Sequence, residues 1–174
     1  NMTKINSSEV LKKESLSEGE YFLVSIHREE NVDYEENLQN LLNFLIQLED
    51  AYGLPIIVST HPRTKKKIEE IKFKNTSKNI KFMKPFGFHD YNKLQLSAKC
   101  LISDSGTVSE ESSILKIPAI SIRNAHERPE GMDNGSFINS GTDPKNLMES
   151  LNYTLALGRG TESFVDDYQD NNIS

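Results

Sequence analysis

The segment LISDSGTVSEES, residues 101–112, combines the residue types of an anion-binding turn with two adjacent carboxylates. An apolar run ends at Asp104, a Ser-Gly turn follows, and a helix pattern starts at Thr107. The free N–H groups of such a turn carry partial positive charge, and glycine lets a ligand approach the backbone closely. A second interpretation stays open, because Thr107 and Glu110 have the spacing of a capping box that serves only to close the helix end.

Three further polar segments follow apolar runs and contain ionisable side chains. They are HREEN (27–31), THPR (60–63) and RNAHERPEGMD (123–133). In the first, His27 can titrate near neutrality or act as a neutral donor, and Arg28 has the planar guanidinium that clamps phosphate. A salt bridge from Arg28 to Glu29 or Glu30 explains the same residues without a ligand, and both interpretations stay open.

The third of these segments places His126, Glu127 and Arg128 in one turn that a proline fixes. Three ionisable side chains in a single loop after a strand favour a functional role over mere solubility. His61, in the second segment, is ambiguous. The single cysteine, Cys100, begins an apolar run and has no histidine beside it in sequence, which predicts a small buried residue rather than a nucleophile.

The sequence alternates short apolar runs with amphipathic patterns, and the strands and helices that these predict must position the four segments. Strands are predicted at 21–27, 55–60, 79–84, 100–104 and 118–123, with 136–139 as a candidate for a short sixth. Helices are predicted at 33–52, 62 to about 73, 90–98, 107 to about 115, and 144–157. The first of these helices has an apolar face made of Leu38, Leu41, Leu42, Leu45 and Ile46. The pattern predicts an α/β fold with a doubly wound parallel sheet, whose ligands bind beyond the carboxyl ends of the strands, where all four segments lie.

Composition restricts the class of protein further. The 174 residues suffice for one α/β domain, and the net charge of −6 gives no electrostatic case for binding nucleic acid or an anionic membrane. The basic run at 65–67 is followed by acidic residues and predicts a solvated helix face. No apolar stretch reaches the roughly 18 residues of a membrane span. One cysteine and four scattered histidines offer no metal-ligand spacing, so we expect no metal site.

These segments, in this order, resemble the C-terminal domain of the non-hydrolysing UDP-N-acetylglucosamine 2-epimerases. The matching pieces are SIHREEN, DSGTVSEE, ERPE and the late SGTD at 140–143, which together span about 120 residues. The resemblance implies one Rossmann-like half of a GT-B two-domain enzyme, with the active site in the cleft between the halves. The form AHERPEGMD looks most like the branch that acts on UDP-N-acetyl-L-talosamine and fucosamine-type sugars for capsule or O-antigen.

The resemblance also implies a role for each candidate residue. Arg28 and the turn Ser105, Gly106 and Thr107 would receive the diphosphate of UDP, and the carboxylate of Glu111 would bind the ribose hydroxyls. Glu110 would then be the capping or structural member of the acidic pair. Tyr91 would contact the uracil, although a core aromatic of its helix is the alternative. By the same resemblance, the pocket would be shaped by His126, Glu127 and Arg128. His27 would act in catalysis.

The implied reaction eliminates UDP to leave a 2-acetamidoglycal, then adds UDP back with inverted configuration at C2. It requires no redox cofactor, and the family's other acid/base carboxylates come from the N-terminal domain. We therefore divide the chain into residues 1–19, an N-terminal linker with a helix and a cloning junction, 20–160, the UDP-binding domain, and 161–174, a tail leading toward a crossover helix. The resemblance implies a cytoplasmic enzyme that acts on a UDP-sugar, and it is compatible with a homodimer. We expect this C-terminal fragment to be inactive on its own.

The sequence departs from the commoner family pattern at two places that affect the site. DSGG is here DSGT, with Thr107 in place of the second glycine, and Ala125 and His126 stand where many members have two threonines. Both changes bear on which sugar is used. Two other functions are compatible with the motifs: the nucleotide-binding half of a GT-B glycosyltransferase, and a non-catalytic module that binds a UDP-sugar.

Overall fold

A six-stranded parallel sheet forms the centre of the molecule in a computed structural model, which describes residues 1–123 and 138–158. The strands are β1 Phe22–Ile26, β2 Ile56–Thr60, β3 Ile80–Met83, β4 Cys100–Ser103, β5 Ala119–Ser121 and β6 Ile138–Asn139. Their order is β3-β2-β1-β4-β5-β6, and each neighbouring pair is parallel. This is the strand order of a Rossmann-like fold, so the predicted fold class is confirmed.

Eight helices connect or flank the strands within the described residues. They are α1 Met2–Asn6, α2 Val10–Lys13, α3 Glu29–Val32, α4 Glu35–Tyr52, α5 Pro62–Glu70, α6 Phe88–Ser97, α7 Val108–Leu115 and α8 Pro144–Leu157. The part of the chain described here contains no helix that is both long and apolar enough to cross a membrane.

The strands β1, β2, β4 and β5 are buried almost throughout, which is why their sequences are apolar runs rather than alternations. In β3 only Ile80 is fully buried. On one face Phe22, Val24 and Ile26 of β1 pack in a cluster with the apolar faces of α4 and α8. On the other face Leu23, next to Ile57 and Leu101 in register, packs with α6 and α7. The two layers of helices therefore hold the sheet, and with it the strand ends, in a fixed position. Cys100 is fully buried in the first cluster, as predicted.

The long helix α4 differs from its prediction at one position of the apolar face. Leu45 is 1% exposed as expected, but Ile46 is 38% exposed, and Leu48 is completely buried instead. The prediction for Ile46 was wrong because the helix turns it about 100° away from Leu45, to the edge of the stripe. The helix ends as expected at Gly53, whose φ of 62° is the left-handed conformation that glycine tolerates.

The short helix α3 was not predicted from sequence. It begins directly after Arg28 and lies between β1 and α4. At the N-terminus, Ile5 and Val10 are buried, and Ser8 donates a 2.6 Å hydrogen bond to Asp90 of α6. The helix α6 begins two residues earlier than predicted, with Gly87 as its N-cap residue. The first residues of the chain therefore brace the helix that carries Tyr91.

The sheet has its switch point between β1 and β4, because the connections from β1 run outward to β2 and those from β4 run outward to β5. In open parallel sheets the ligand position is the crevice beyond the carboxyl ends of the two strands at the switch point. His27 follows β1 and Asp104 follows β4, so the topology brings these residues from distant positions in the chain to one place.

Candidate functional site

A buried carboxylate organises the crevice between β1 and β4. Asp104 is completely buried, and its Oδ2 accepts hydrogen bonds from the backbone N–H groups of His27 at 3.0 Å and Arg28 at 2.9 Å. The same oxygen accepts from Asn31 Nδ2 at 3.1 Å, and Asn31 also donates to the carbonyl of Ile122 at 3.3 Å. A buried charge is stable only when it is satisfied in this manner. Asp104 thus fastens the turn after β1 to the ends of β4 and β5.

The second oxygen of Asp104 faces the imidazole of His27. The distance from His27 Nδ1 to Asp104 Oδ1 is 3.0 Å, and the histidine side chain is 52% exposed while the carboxylate is not exposed at all. The hydrogen bond to Asp104 raises the pKa of His27, with burial and the charge of Arg28 acting in the opposite direction. Burial alone would raise the pKa of Asp104, but hydrogen bonds from His27, Arg28 and Asn31 outweigh it and lower that pKa.

The Ser105-Gly106 turn lies between two guanidinium groups. A β-carbon placed on Gly106 would lie 3.5 Å from Arg123 Nη1 and 3.7 Å from Arg28 Nη2. Arg28 comes from the turn after β1 and Arg123 follows β5, so two different parts of the chain bring a cation to this turn. Gly106 is exposed, and two positive groups around an exposed turn at a switch point form a cradle for an anion.

The two adjacent carboxylates of α7 have different surroundings. Glu111 is half-buried and accepts from Thr107 Oγ1 at 2.7 Å and from Gln95 Nε2 at 2.8 Å, whereas Glu110 is exposed. The capping-box interpretation is therefore wrong in its pairing, since the hydroxyl of Thr107 meets Glu111 and makes no capping hydrogen bond to the helix. Glu110 makes no capping contact that would give it the structural role assigned to it in sequence.

Tyr91 lies at the same edge of the sheet, partly buried against the cluster on the α6 side. Burial raises the pKa of its phenol, the charges of Glu111 and Asp104 act in the same direction, and hydrogen bonding to Ser25 and Gln95 acts against it. Its hydroxyl thus contacts Ser25 and Gln95. Gln95 is 3% exposed and also donates to Glu111, so it links the phenol to that carboxylate.

Some predicted site residues have structural roles or cannot be placed. His61 is the N-cap of α5, where its Nδ1 accepts from the backbone of Arg63 at 3.3 Å. In SGTD, Asp143 caps α8, and Gly141 has a φ of 67°. The side chain of Arg28 also contacts Glu30 at 3.4 Å, so the ion pair that was considered in sequence does form alongside the cradle. His126, Glu127 and Arg128 lie outside the described residues.

Four residues of this crevice were absent from the predicted site: Asp104, Asn31, Gln95 and Arg123. Two of them carried a usable signal, because Asp104 and Arg123 each end a buried strand, the position at which the functional residues of parallel sheets collect. Gln95 and Asn31 lie on helices, and only the tertiary fold shows that their amides reach the carboxylates.

A family model described as UDP-N-acetylglucosamine 2-epimerase matches residues 1–174 of the chain. The chain belongs to this family. It is 37% identical over 139 residues to the UDP-N-acetylglucosamine 2-epimerase of Methanocaldococcus jannaschii, covering 78% of this chain and 38% of that relative. The solved structure of the family member from Rickettsia bellii is 45% identical with a TM-score of 0.82, over 94% of this chain and 43% of the other.

A second solved family member has nucleotides bound. The UDP-GlcNAc 2-epimerase from Methanocaldococcus jannaschii, in complex with UDP-GlcNAc and UDP, is 35% identical with a TM-score of 0.77, over 89% of this chain and 44% of that one. The chain therefore spans less than half the length of the relatives it matches. The family match favours the epimerase over the glycosyltransferase alternative, since a heptosyltransferase II from E. coli, at 12% identity and a TM-score of 0.62, shares the fold alone.

Proposed function

We propose that this chain is the UDP-binding part of a UDP-N-acetylhexosamine 2-epimerase. The observation that carries the proposal is the pair of guanidinium groups, Arg28 and Arg123, beside the exposed Gly106 at the β1–β4 switch point. A diphosphate is the anion that suits two cations beside an exposed glycine turn, because each phosphate can meet one guanidinium. The relative crystallised with UDP-GlcNAc and UDP supports the choice of nucleotide.

The remaining contacts of the nucleotide follow from the positions around the cradle. Ser105, Gly106 and Thr107 would present N–H and hydroxyl groups to the diphosphate. Glu111, one helical turn further along and held by Gln95, would accept hydrogen bonds from the ribose hydroxyls. This arrangement answers how an anion site tolerates a carboxylate: Glu111 faces the sugar of the nucleotide and keeps its charge away from the phosphates. Tyr91 would offer an edge of its ring to the uracil.

The proposed reaction changes the configuration at C2 of the sugar without net oxidation. A base removes the C2 proton, its electron pair forms the C1–C2 double bond, and the C1–O bond breaks to release UDP. The glycal then regains UDP at C1 and a proton on the opposite face of C2. In this chain, Arg28, Arg123 and the turn would stabilise the negative charge of departing UDP, and His27 would act beside it. The acid/base carboxylates would lie in the rest of the protein, and His126, Glu127 and Arg128 would shape the sugar pocket.

Several finer features belong to the same proposal. The substrate class is a UDP-N-acetylhexosamine, with the talosamine and fucosamine branch suggested by AHERPEGMD at 125–133. The setting is surface polysaccharide biosynthesis in the cytoplasm, and the complete protein would contain an N-terminal domain and could pair as a homodimer. Because the chemistry is a proton transfer and a C–O cleavage, it calls for no redox cofactor.

Calorimetric titration of the chain with UDP tests the nucleotide site. We expect weak, saturable one-to-one binding, and a loss of about tenfold in affinity in Glu111→Ala, because a charge-assisted hydrogen bond to the ribose is removed. Glu110→Ala is the matched control, since it removes the same charge one residue away and should leave the affinity unchanged. Tyr91→Ala should also weaken binding, while Tyr91→Phe keeps the ring. Equal effects of the two glutamate variants, or no binding by the folded chain, would contradict the proposal.

A further inference from the structure

The carboxylate of Asp104 is hydrogen-bonded to the imidazole of His27. The imidazole has two nitrogens, and Nδ1 lies 3.0 Å from Asp104 Oδ1. An ionised carboxylate only accepts hydrogen bonds, so Nδ1 must carry the proton in this contact. The other nitrogen, Nε2, is then the atom left for a ligand, on a side chain that is 52% exposed.

The backbone contacts of Asp104 fix the orientation of this pair. The carboxylate is completely buried, and its Oδ2 is already engaged by the N–H groups of His27 and Arg28 and by Asn31 Nδ2. It therefore cannot rotate away from the imidazole without leaving these wholly or partly buried donors unsatisfied, which is unfavourable. The histidine is held from both its backbone and its ring by one side chain.

We propose that Asp104 is a positioning residue that holds His27 with Nδ1–H toward the protein and Nε2 toward the ligand, so that the cationic imidazole donates from Nε2 to the diphosphate. This inference rests on the proposed function for the identity of the ligand, but not for the geometry of the pair. Two charged groups act on the imidazole: Asp104 at the end of β4, which favours the cation, and Arg28 on its own turn, which opposes it.

The substitution Asp104→Asn separates charge from shape. The amide oxygen can take the place of Oδ2 and keep the acceptor for Arg28 N and Asn31, which puts the amide NH₂ opposite His27 Nδ1. Nδ1 must then accept, so the neutral imidazole carries its proton on Nε2 and the tautomer reverses. We expect ¹⁵N chemical shifts of the imidazole, measured by NMR on the free chain, to show Nδ1–H in the wild type and Nε2–H in Asp104→Asn. The His27 titration midpoint should fall in the same variant.

Asn31→Ala provides the structural control for this experiment. It removes another hydrogen bond from Asp104 Oδ2, and so loosens the same turn, but it leaves the contact between Oδ1 and Nδ1. This variant should lose stability to urea and keep the Nδ1–H tautomer. An unchanged tautomer and titration midpoint in a folded Asp104→Asn chain would overturn the inference, and so would a reversed tautomer in Asn31→Ala.

The proposed hydrogen bond from His27 Nε2 to the diphosphate is tested with UDP-N-acetylglucosamine. The diphosphate of this ligand is esterified at both ends and does not titrate near neutrality. We expect its affinity to decline as pH rises through the His27 titration, and to be about tenfold weaker at pH 6.5 in Asp104→Asn because a charge-assisted donor becomes a neutral one. Binding with the same pH profile in both chains would refute the donor role. Absence of binding in the wild type would count against the proposed function, while the tautomer measurement would still decide the role of Asp104.

Discussion

At the scale of single residues, Gly106 shows how the site separates binding from stability. A methyl group on Gly106 would lie at ordinary van der Waals distance from Arg123 and Arg28, 3.5 and 3.7 Å away, so the fold accepts it. We expect Gly106→Ala to keep or slightly raise the free energy of unfolding, by about 0.4–1 kcal/mol, because alanine restricts the unfolded chain. The same methyl fills the space between the guanidinium groups, so UDP affinity should fall at least about tenfold. Urea unfolding and calorimetry check the two halves, and a stable variant with unchanged affinity would move the diphosphate elsewhere.

The pair of Asp104 and His27 also predicts how stability depends on pH. The folded pKa of His27 is raised, so its contribution is complete below its unfolded value of about 6.5 and is lost as pH rises through the folded pKa. The pKa of Asp104 is lowered, so its contribution is complete above about 3.9 and is lost as pH falls. The pair therefore stabilises the fold most between about pH 4 and 6.5. In urea unfolding, the difference between wild type and His27→Gln should be larger at pH 5.5 than at pH 9, and a difference independent of pH would show that the imidazole does not interact with the carboxylate.

At the scale of elements, α4 offers two neighbouring aliphatic residues in opposite surroundings. Leu45 is 1% exposed within the core beside β1, and Ile46 is 38% exposed at the edge of the apolar stripe. Leu45→Ala should lower the free energy of unfolding by about 2–5 kcal/mol, since it removes buried methyl groups and leaves a cavity. Ile46→Ala should change it by less than about 0.5 kcal/mol. Similar losses in both variants, measured by urea unfolding, would contradict the packing of α4.

The elements also show what could be predicted from sequence and what could not. The central strands were predictable because they are buried on both faces and appear as mostly apolar runs, such as Phe22–Ile26. The position of Ile46 was missed because an apolar residue at the edge of a helical stripe has the same spacing as one inside it. The partner of Thr107 was missed because Glu110 and Glu111 are both within reach along the helix, and Gln95, from another helix, engages Glu111. Sequence motifs thus located the crevice, and tertiary contacts determined which side chains meet within it.

At the scale of the whole molecule, the chain spans 38–45% of the three relatives to which it is 31–37% identical. The proposed function makes it one side of a site, with the acid/base carboxylates in the rest of the protein. We expect this chain to bind UDP and yet not to interconvert UDP-GlcNAc and its C2 epimer.

A chimera that joins the N-terminal part of the Rickettsia bellii relative to this chain should restore interconversion without any acceptor sugar, because the chimera contains both sides of the proposed cleft. Glu111→Ala in the chimera should lower kcat/KM by about tenfold, matching its loss in UDP affinity if the ribose contact is made equally in the ground and transition states. Turnover by the chain alone would place the catalytic acid and base among its own residues, whereas a folded chimera that binds UDP-GlcNAc without turnover would favour a module that only binds the nucleotide sugar.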